Sequence, residues 1–284
     1  MDTIIEAHAH LILDGENFRQ AIERHKSHID TNYIMQTFSK YQDSGINYIR
    51  DGGDNLMLSA VAKNYAMDYD INYRTPVFAI YKKGNYGSIV GKSFESERDF
   101  IDLVKIVKQN NGDFIKLMLS GILDFNCYEK VSKSEIDVPL LKKIIHISHS
   151  EGFSVMAHCN TPTLIKQAIE YGVDSIEHGF YIDEEGIDLM AQTRCIWVPT
   201  ITAVKNLVEY NLYNELVLNQ IVSQHANSLL CASKKNVLIA SGSDAGAFGV
   251  KHCMGAKQEY STLIDIGINS DLIKISNNAI IEKF

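Results

Sequence analysis

Eight short apolar runs, separated by longer segments with helical spacing, constrain this chain more than any other feature. They are TIIEA from Thr3, INYIR from Ile46, TPVFAI from Thr75, DFIKLML from Asp113, FSVMA from Phe153, DSIE from Asp174, CIWVPTI from Cys195 and NVLIAS from Asn236. Rich in β-branched and other apolar residues and mostly bounded by Gly, Asp, His or Asn, they read as buried strands. Between them lie segments such as SERDFIDLVKIVKQ from Ser96 and VPLLKKIIHISHSEG from Val138, whose apolar residues repeat at three and four. Ser96 is placed to cap the first of these. Regular alternation of strand and helix implies parallel pairing through right-handed crossovers, and eight units point to a closed α/β barrel, the (β/α)8 TIM barrel. An open doubly wound sheet is the second solution. Such a barrel takes about 250 residues, so a single barrel domain over residues 1–284 accounts for the whole length. No linker, low-complexity tract or heptad run marks a boundary.

Charge and cysteine usage exclude several function classes. Lys and Arg number 27 against 35 Asp and Glu, a net charge of −8, and the basic residues are scattered, which argues against a nucleic-acid partner. The five cysteines are far apart and form no C-x-x-C pair, as expected of a reducing cytosol. The start MDTIIEAHAH has acids and histidines where a secretory leader would need a basic start and an unbroken apolar run, so no leader is expected, and no apolar run reaches membrane-spanning length. The expectation is a soluble cytoplasmic protein acting on a small molecule, and a homo-oligomer is compatible with it.

In a barrel the carboxyl ends of all eight strands converge on one face, where such enzymes keep their chemistry. The first run leads into EAHAH, where His8 and His10 are two apart and so point to one side of a strand. Alone, that pair reads as solvated or loop-bonded histidine. The fifth run leads to His158 in VMAHCN, the sixth to His178 in SIEHGF and the eighth to Asp244 in ASGSDAG. Any one of these passes as a polar strand end, and Asp244 as a helix cap. Four histidines and an aspartate on one face do not, because neutral imidazoles with a carboxylate are the donors that Zn²⁺ prefers. Lys116 lies in the fourth run, DFIKLML, where a cation in an apolar strand is costly without a partner. It either snorkels to the barrel rim or has taken up CO2 as a carbamate, an anionic ligand able to bridge two metals.

H-x-H, a strand-four lysine, two single histidines and a strand-eight aspartate in this order resemble the amidohydrolase superfamily. INYIRDGGD, HCNTPTLIKQAIEYGVDSIEHGFYIDEEGIDLM from His158 and WVPT are similar to its branch of metal-dependent prolidases and imidazolonepropionase-like enzymes. The resemblance implies two divalent metal ions, with Zn²⁺ expected. His8, His10 and Asp244 would hold the more buried one, His158 and His178 the more exposed one, and carboxylated Lys116 would bridge them. Members of this branch without the lysine tend to hold one metal. It further implies a metal-bridging hydroxide as nucleophile, Asp244 as general base and acid, and cleavage of a C–N amide bond in a dipeptide, an Xaa-Pro-like substrate or an N-acyl amino acid.

The chain departs from the family in two places. Many members flank the barrel with a small β-sandwich built from residues before the first strand and after the last helix, and here the first strand is expected at residue 3, so a barrel lacking the sandwich is expected. Deaminases of the family place a glutamate three residues after the strand-five histidine, and this chain has Thr161, which disfavours deamination. Ester, lactone or phosphotriester hydrolysis stays open, as does a non-catalytic metal-binding barrel. GNYGSIVGKS from Gly84 has three residues between Gly87 and Gly91 where a phosphate loop needs four, so it reads as an active-site loop after strand three. Tyr181 and His252 are candidate substrate contacts on the loops after strands six and eight. His25, His28, His146, His149 and His225 lie in helix-like segments and read as non-ligands, and Trp197 reads as packing.

Overall fold

A computed structural model of the chain describes residues 4–132 and 136–284, so Thr3, the head of the first expected strand, lies outside the described residues. Among the described residues nine strands form: β1 (Glu6–Ala9), β2 (Tyr48–Asp51), β3 (Asn72–Arg74), β4 (Ala79–Lys82), β5 (Gly91–Phe94), β6 (Ile115–Met118), β7 (Val155–Cys159), β8 (Ser175–His178) and β9 (Ile196–Val198). All pair in parallel, in the orders β1-β2-β3 and β5-β4-β6-β7-β8-β9.

Two of the eight expected strands take a different form. The third, from Thr75, falls across the gap between β3 and β4. Pro76 removes a ladder donor there, and Val77 has a left-handed φ of 69°. The break stays stitched to both neighbours, because Thr75 O accepts from Asp113 N at 2.8 Å and Val77 O accepts from Asp54 N at 3.2 Å. β3 and β4 are therefore one interrupted stave. The eighth, from Asn236, forms no regular ladder. Residues 237–245 bond to β9 through Trp197 N to Leu238 O (2.8 Å) and Ala240 N to Trp197 O (2.9 Å). They bond to the first strand through Ala7 N to Ser241 O (3.0 Å), Asp244 N to His8 O (2.8 Å) and His10 N to Ala245 O (2.7 Å). A Cβ on Gly242 would come within 2.7 Å of His8 N, so only glycine lets the two backbones meet this closely. The closed ring is a (β/α)8 barrel, and the described residues form no β-sandwich. Among the described residues β5 pairs only with β4, so the end of the segment expected as a loop from Gly84 is a strand outside the ring.

The helices follow their sequence signals. Glu97–Gln109 starts at Ser96, which forms a capping box with Asp99, and Val138–Ser150 is capped by Asp137; each cap stabilises its helix by about 1 kcal/mol. A large apolar cluster, including Phe100, Val104, Leu141, Ile145, Ile165 and Ile176, fills the space between helices and sheet. A second layer, with Tyr48, Phe114, Met156, Ile196 and Ala240 near the starts of their strands, packs with Ile280 and Phe284. It plugs the barrel at the end opposite the chemistry. No described helix is long and apolar enough to cross a membrane.

Candidate metal centre

His8, His10, Lys116, His158, His178 and Asp244 all line one cavity at the carboxyl ends of the strands. The imidazole centroids of His8 and His10 are 5.6 Å apart, those of His8 and His178 5.0 Å, and those of His158 and His178 4.6 Å. Asp244 Oδ1 lies 3.7 Å from His8 Nε2 and 3.6 Å from His10 Nε2. The donor atoms of these three residues all fall within 4.8 Å of one another. Strict alternation along a strand would set Glu177 and His178 on opposite faces. His178 escapes it through a left-handed φ of 67°, and Asp244 and Thr200 have φ values of 63° and 49°. Such conformations cost about 1–3 kcal/mol each and gather at functional sites.

Each imidazole has one ring nitrogen engaged by the protein. His8 donates Nδ1–H to Glu177 Oε2 (2.7 Å), His10 donates Nδ1–H to Gly53 O (3.2 Å) and His158 donates Nε2–H to Gly121 O (3.1 Å). His178 Nδ1 meets Thr200 Oγ1 at 2.7 Å. Carboxylate and carbonyl acceptors require the proton on the bonded nitrogen, which leaves the other nitrogen as a lone-pair donor. Burial holds all four rings below the usual histidine range, His158 at about 3, so they are neutral. The Lys116 amine is buried without a hydrogen-bond partner among the described residues, and burial lowers it to about 8. Burial lifts Asp244 to about 6. Neutral imidazoles, three of them with the tautomer fixed by an acceptor, a carboxylate and an orphaned buried amine fit divalent cations held by nitrogen and oxygen donors.

Several supporting residues were not anticipated. Arg50 is fully buried on β2 and donates Nε–H to Ala7 O (2.7 Å), Nη1–H to Ser175 Oγ (2.9 Å) and Nη2–H to both Glu177 oxygens (2.8 and 3.0 Å). The Glu177 carboxylate thus joins Arg50 to His8. Trp197 does more than pack, since its Nε1–H donates to His178 O at 2.8 Å. The signal for Arg50 was available: it is a cation inside an apolar strand, the argument that singled out Lys116.

Tyr181 and His252 do not line the cavity. The Tyr181 hydroxyl accepts from Glu129 N (3.1 Å), and His252 joins the Tyr41 hydroxyl (3.0 Å) to Leu13 O (2.8 Å). Both tie loops down. His225, read as a non-ligand, stacks on Phe180 with centroids 4.2 Å apart and meets Pro199 O through Nε2 at 3.1 Å.

Residues 1–269 match the model of the amidohydrolase family. The chain belongs to the amidohydrolase family. This makes the protein a hydrolase of a family that generally uses divalent metals. Solved amidohydrolase-like structures share the fold at low identity. A Xaa-Pro dipeptidase with bound methionine is 19% identical, over 99% of this chain and 76% of that one, with a TM-score of 0.78. The A. niger ochratoxinase is 17% identical, over 98% and 70%, at 0.79. A prolidase complexed with N-methylphosphonate-L-proline is 16% identical, over 100% and 75%, at 0.75. No curated protein sequence matches the chain.

Proposed function

We propose that this amidohydrolase is a binuclear enzyme that cleaves a C–N amide bond. The observation that carries the reading is the group of four imidazoles, each with one nitrogen engaged by the protein, sharing one cavity with a Lys116 amine that has no hydrogen-bond partner among the described residues. His8, His10 and Asp244 would hold one ion and His158 and His178 the other. Lys116, carboxylated by CO2 with loss of a proton, would stand between them as an anion. Divalent ions held there, Zn²⁺ being the best match to this donor set, supply Lewis acidity that polarises a carbonyl and brings the pKa of water towards neutrality.

The protein's own groups do the rest. Asp244, next to both His8 and His10, would take the proton of the attacking water and return it to the leaving nitrogen. Glu177 and Thr200 hold His8 and His178 by their Nδ1 atoms, so neither ring can turn away. Thr161, where deaminases of the family have a glutamate, leaves no second acid beside His158 in that role. The resemblance to prolidases points to a dipeptide, an Xaa-Pro-like substrate or an N-acyl amino acid.

Protein expressed with zinc and bicarbonate should contain close to two metals per chain, falling with Lys116→Ala. One metal or none, unchanged by that substitution, would sink the binuclear assignment. Asp244→Asn should abolish turnover while most of the metal stays bound, and robust activity in that variant would remove its proton-transfer role.

A further inference from the structure

β5 takes no part in closing the barrel, and the segment that leads into it, GNYGSIVGKS, contains none of the candidate ligands. Residues 83–90 carry the chain from the end of β4 back to the level of its start, where Gly91 pairs with Ala79. The return is tightly fastened. Asn85 N donates to Lys82 O (3.0 Å), Val90 N donates to Gly87 O (3.2 Å), and Asn55 Nδ2 donates to Ser88 O (2.9 Å) from the loop after β2. Gly87 has a φ of 143°, and a Cβ there would lie 2.7 Å from the Tyr81 ring, so only glycine lets the turn press on β4. What this scaffold holds in place is Tyr86.

Tyr86 packs against Ala79, Val90 and Met118 and lines the same cavity as the six candidate ligands. Its ring centroid lies 5.6 Å from that of His158. A phenol keeps its proton at neutral pH, and burial, with the charge of Asp244 adding to it, pushes this one up to about 12. The hydroxyl makes no hydrogen bond with the described residues. The neighbouring Asn160 is by contrast committed to the backbone, donating to Gly121 O and accepting from Phe180 N, both at 3.4 Å. An O–H on the wall of a site that bonds to nothing is free to donate to a ligand.

We propose that Tyr86 is a catalytic residue of the amide hydrolysis, its O–H donating a hydrogen bond to the substrate's carbonyl oxygen as that oxygen becomes an oxyanion. This rests on the amide-hydrolase reading and adds a residue to it. Asp244 stands on the His8 and His10 side of the cavity, and Tyr86 on the His158 side. As water adds to the carbonyl carbon, its proton goes to Asp244 and the π pair moves to oxygen, where Tyr86 donates without giving up its own proton. The pair then re-forms the C=O bond, the C–N bond breaks with its electrons on nitrogen, and nitrogen takes the proton from Asp244. A fixed donor that meets charge present only in the transition state lowers the barrier without tightening substrate binding.

Tyr86→Phe removes the hydroxyl and keeps the packing. The probes, on the metal-loaded protein, are N-acetyl-L-proline, a planar amide, and N-(methylphosphonyl)-L-proline, which has a tetrahedral anionic centre in the same outline. In Tyr86→Phe, affinity for the phosphonate and kcat should each fall about a hundredfold, while the Kd of N-acetyl-L-proline, or its KM where it is cleaved, moves less than about threefold. Metal content should not change. Gly87→Ala should lower phosphonate affinity about tenfold in the wild type and hardly at all in Tyr86→Phe, because it acts by displacing the tyrosine. A kcat within about threefold of wild type, equal losses for the two probes, or a wild type that does not prefer the phosphonate overturns the proposal. Calorimetry separates it from the reading beneath it. If the wild type cleaves neither N-acetyl-L-proline nor Ala-Pro but Tyr86→Phe still loses affinity for the phosphonate alone, the oxyanion contact stands and amide hydrolysis falls. No cleavage together with equal losses, or none, removes both.

Discussion

Arg50 and Glu177 give the sharpest test of how the centre is built. Both are completely buried, and the Glu177 carboxylate receives hydrogen bonds from Arg50, Ser175 and His8. Arg50→Met leaves a buried anion without its cation, and Glu177→Gln leaves a buried cation without its anion. Each single change should destabilise the metal-free protein by about 3–5 kcal/mol, the cost of breaking one side of a buried pair. The double variant removes both charges, so the two effects should fall short of additivity by about 2–3 kcal/mol. Urea titrations followed by the fluorescence of Trp197, the single tryptophan, and by circular dichroism would read this, with coincident curves required for a two-state treatment. Glu177→Gln also removes the charged acceptor that fixes the His8 tautomer, so zinc affinity should drop about 10–100-fold. Additive single effects, or unchanged zinc affinity in Glu177→Gln, would refute the claim that this pair positions His8.

Lys116→Met should abolish activity yet stabilise the metal-free, bicarbonate-free protein by about 1–3 kcal/mol, because it removes a buried amine that has no partner among the described residues; thermal melts of the stripped proteins check it. Burial lowers His225 to about 3 against an ordinary value of 6.5, so its neutral form belongs to the folded state. Its contribution is complete above pH 6.5 and is lost as pH falls from there towards 3, at up to about 1.4 kcal/mol per unit. His225→Phe should therefore show a flatter decline in urea midpoint between pH 7 and 5 than the wild type. A Cβ on Gly52 would sit 2.3 Å from His10 Cε1, so Gly52→Ala should displace that ring and weaken zinc binding at least about tenfold, as read by chelator competition.

The barrel and the six candidate residues were legible because both follow periodic rules. Strand runs alternate with helical ones, and polar residues at strand ends stand out against apolar sequence. Where those rules stop, the reading stopped. Pro76 lies inside an otherwise continuous apolar run, and only the third dimension shows that its neighbours bridge the break. The last stave looks regular in sequence, but the close approach at Gly242 and the turn at Asp244 prevent a ladder. Glu177 was hidden by its neighbour. Adjacent residues of a strand normally face apart, so the left-handed backbone of His178, which brings both side chains to His8, has no signature among L-residues. Tyr181 and His252 sit on the right loops and point elsewhere, because loop residues obey no period at all.

The irregular last stave has a consequence for how the molecule holds itself closed. Its edge towards β1 is fastened by a few separate main-chain bonds, and the candidate donors straddle that line, with His8 and His10 on one side and Asp244 on the other. A cation gripped by all three would act as a rivet through the seam. Amide protons of residues 237–245 should then exchange with solvent fastest in the stripped protein, and loading the centre would slow them selectively, since an ion that binds only the closed ring must oppose every opening of it.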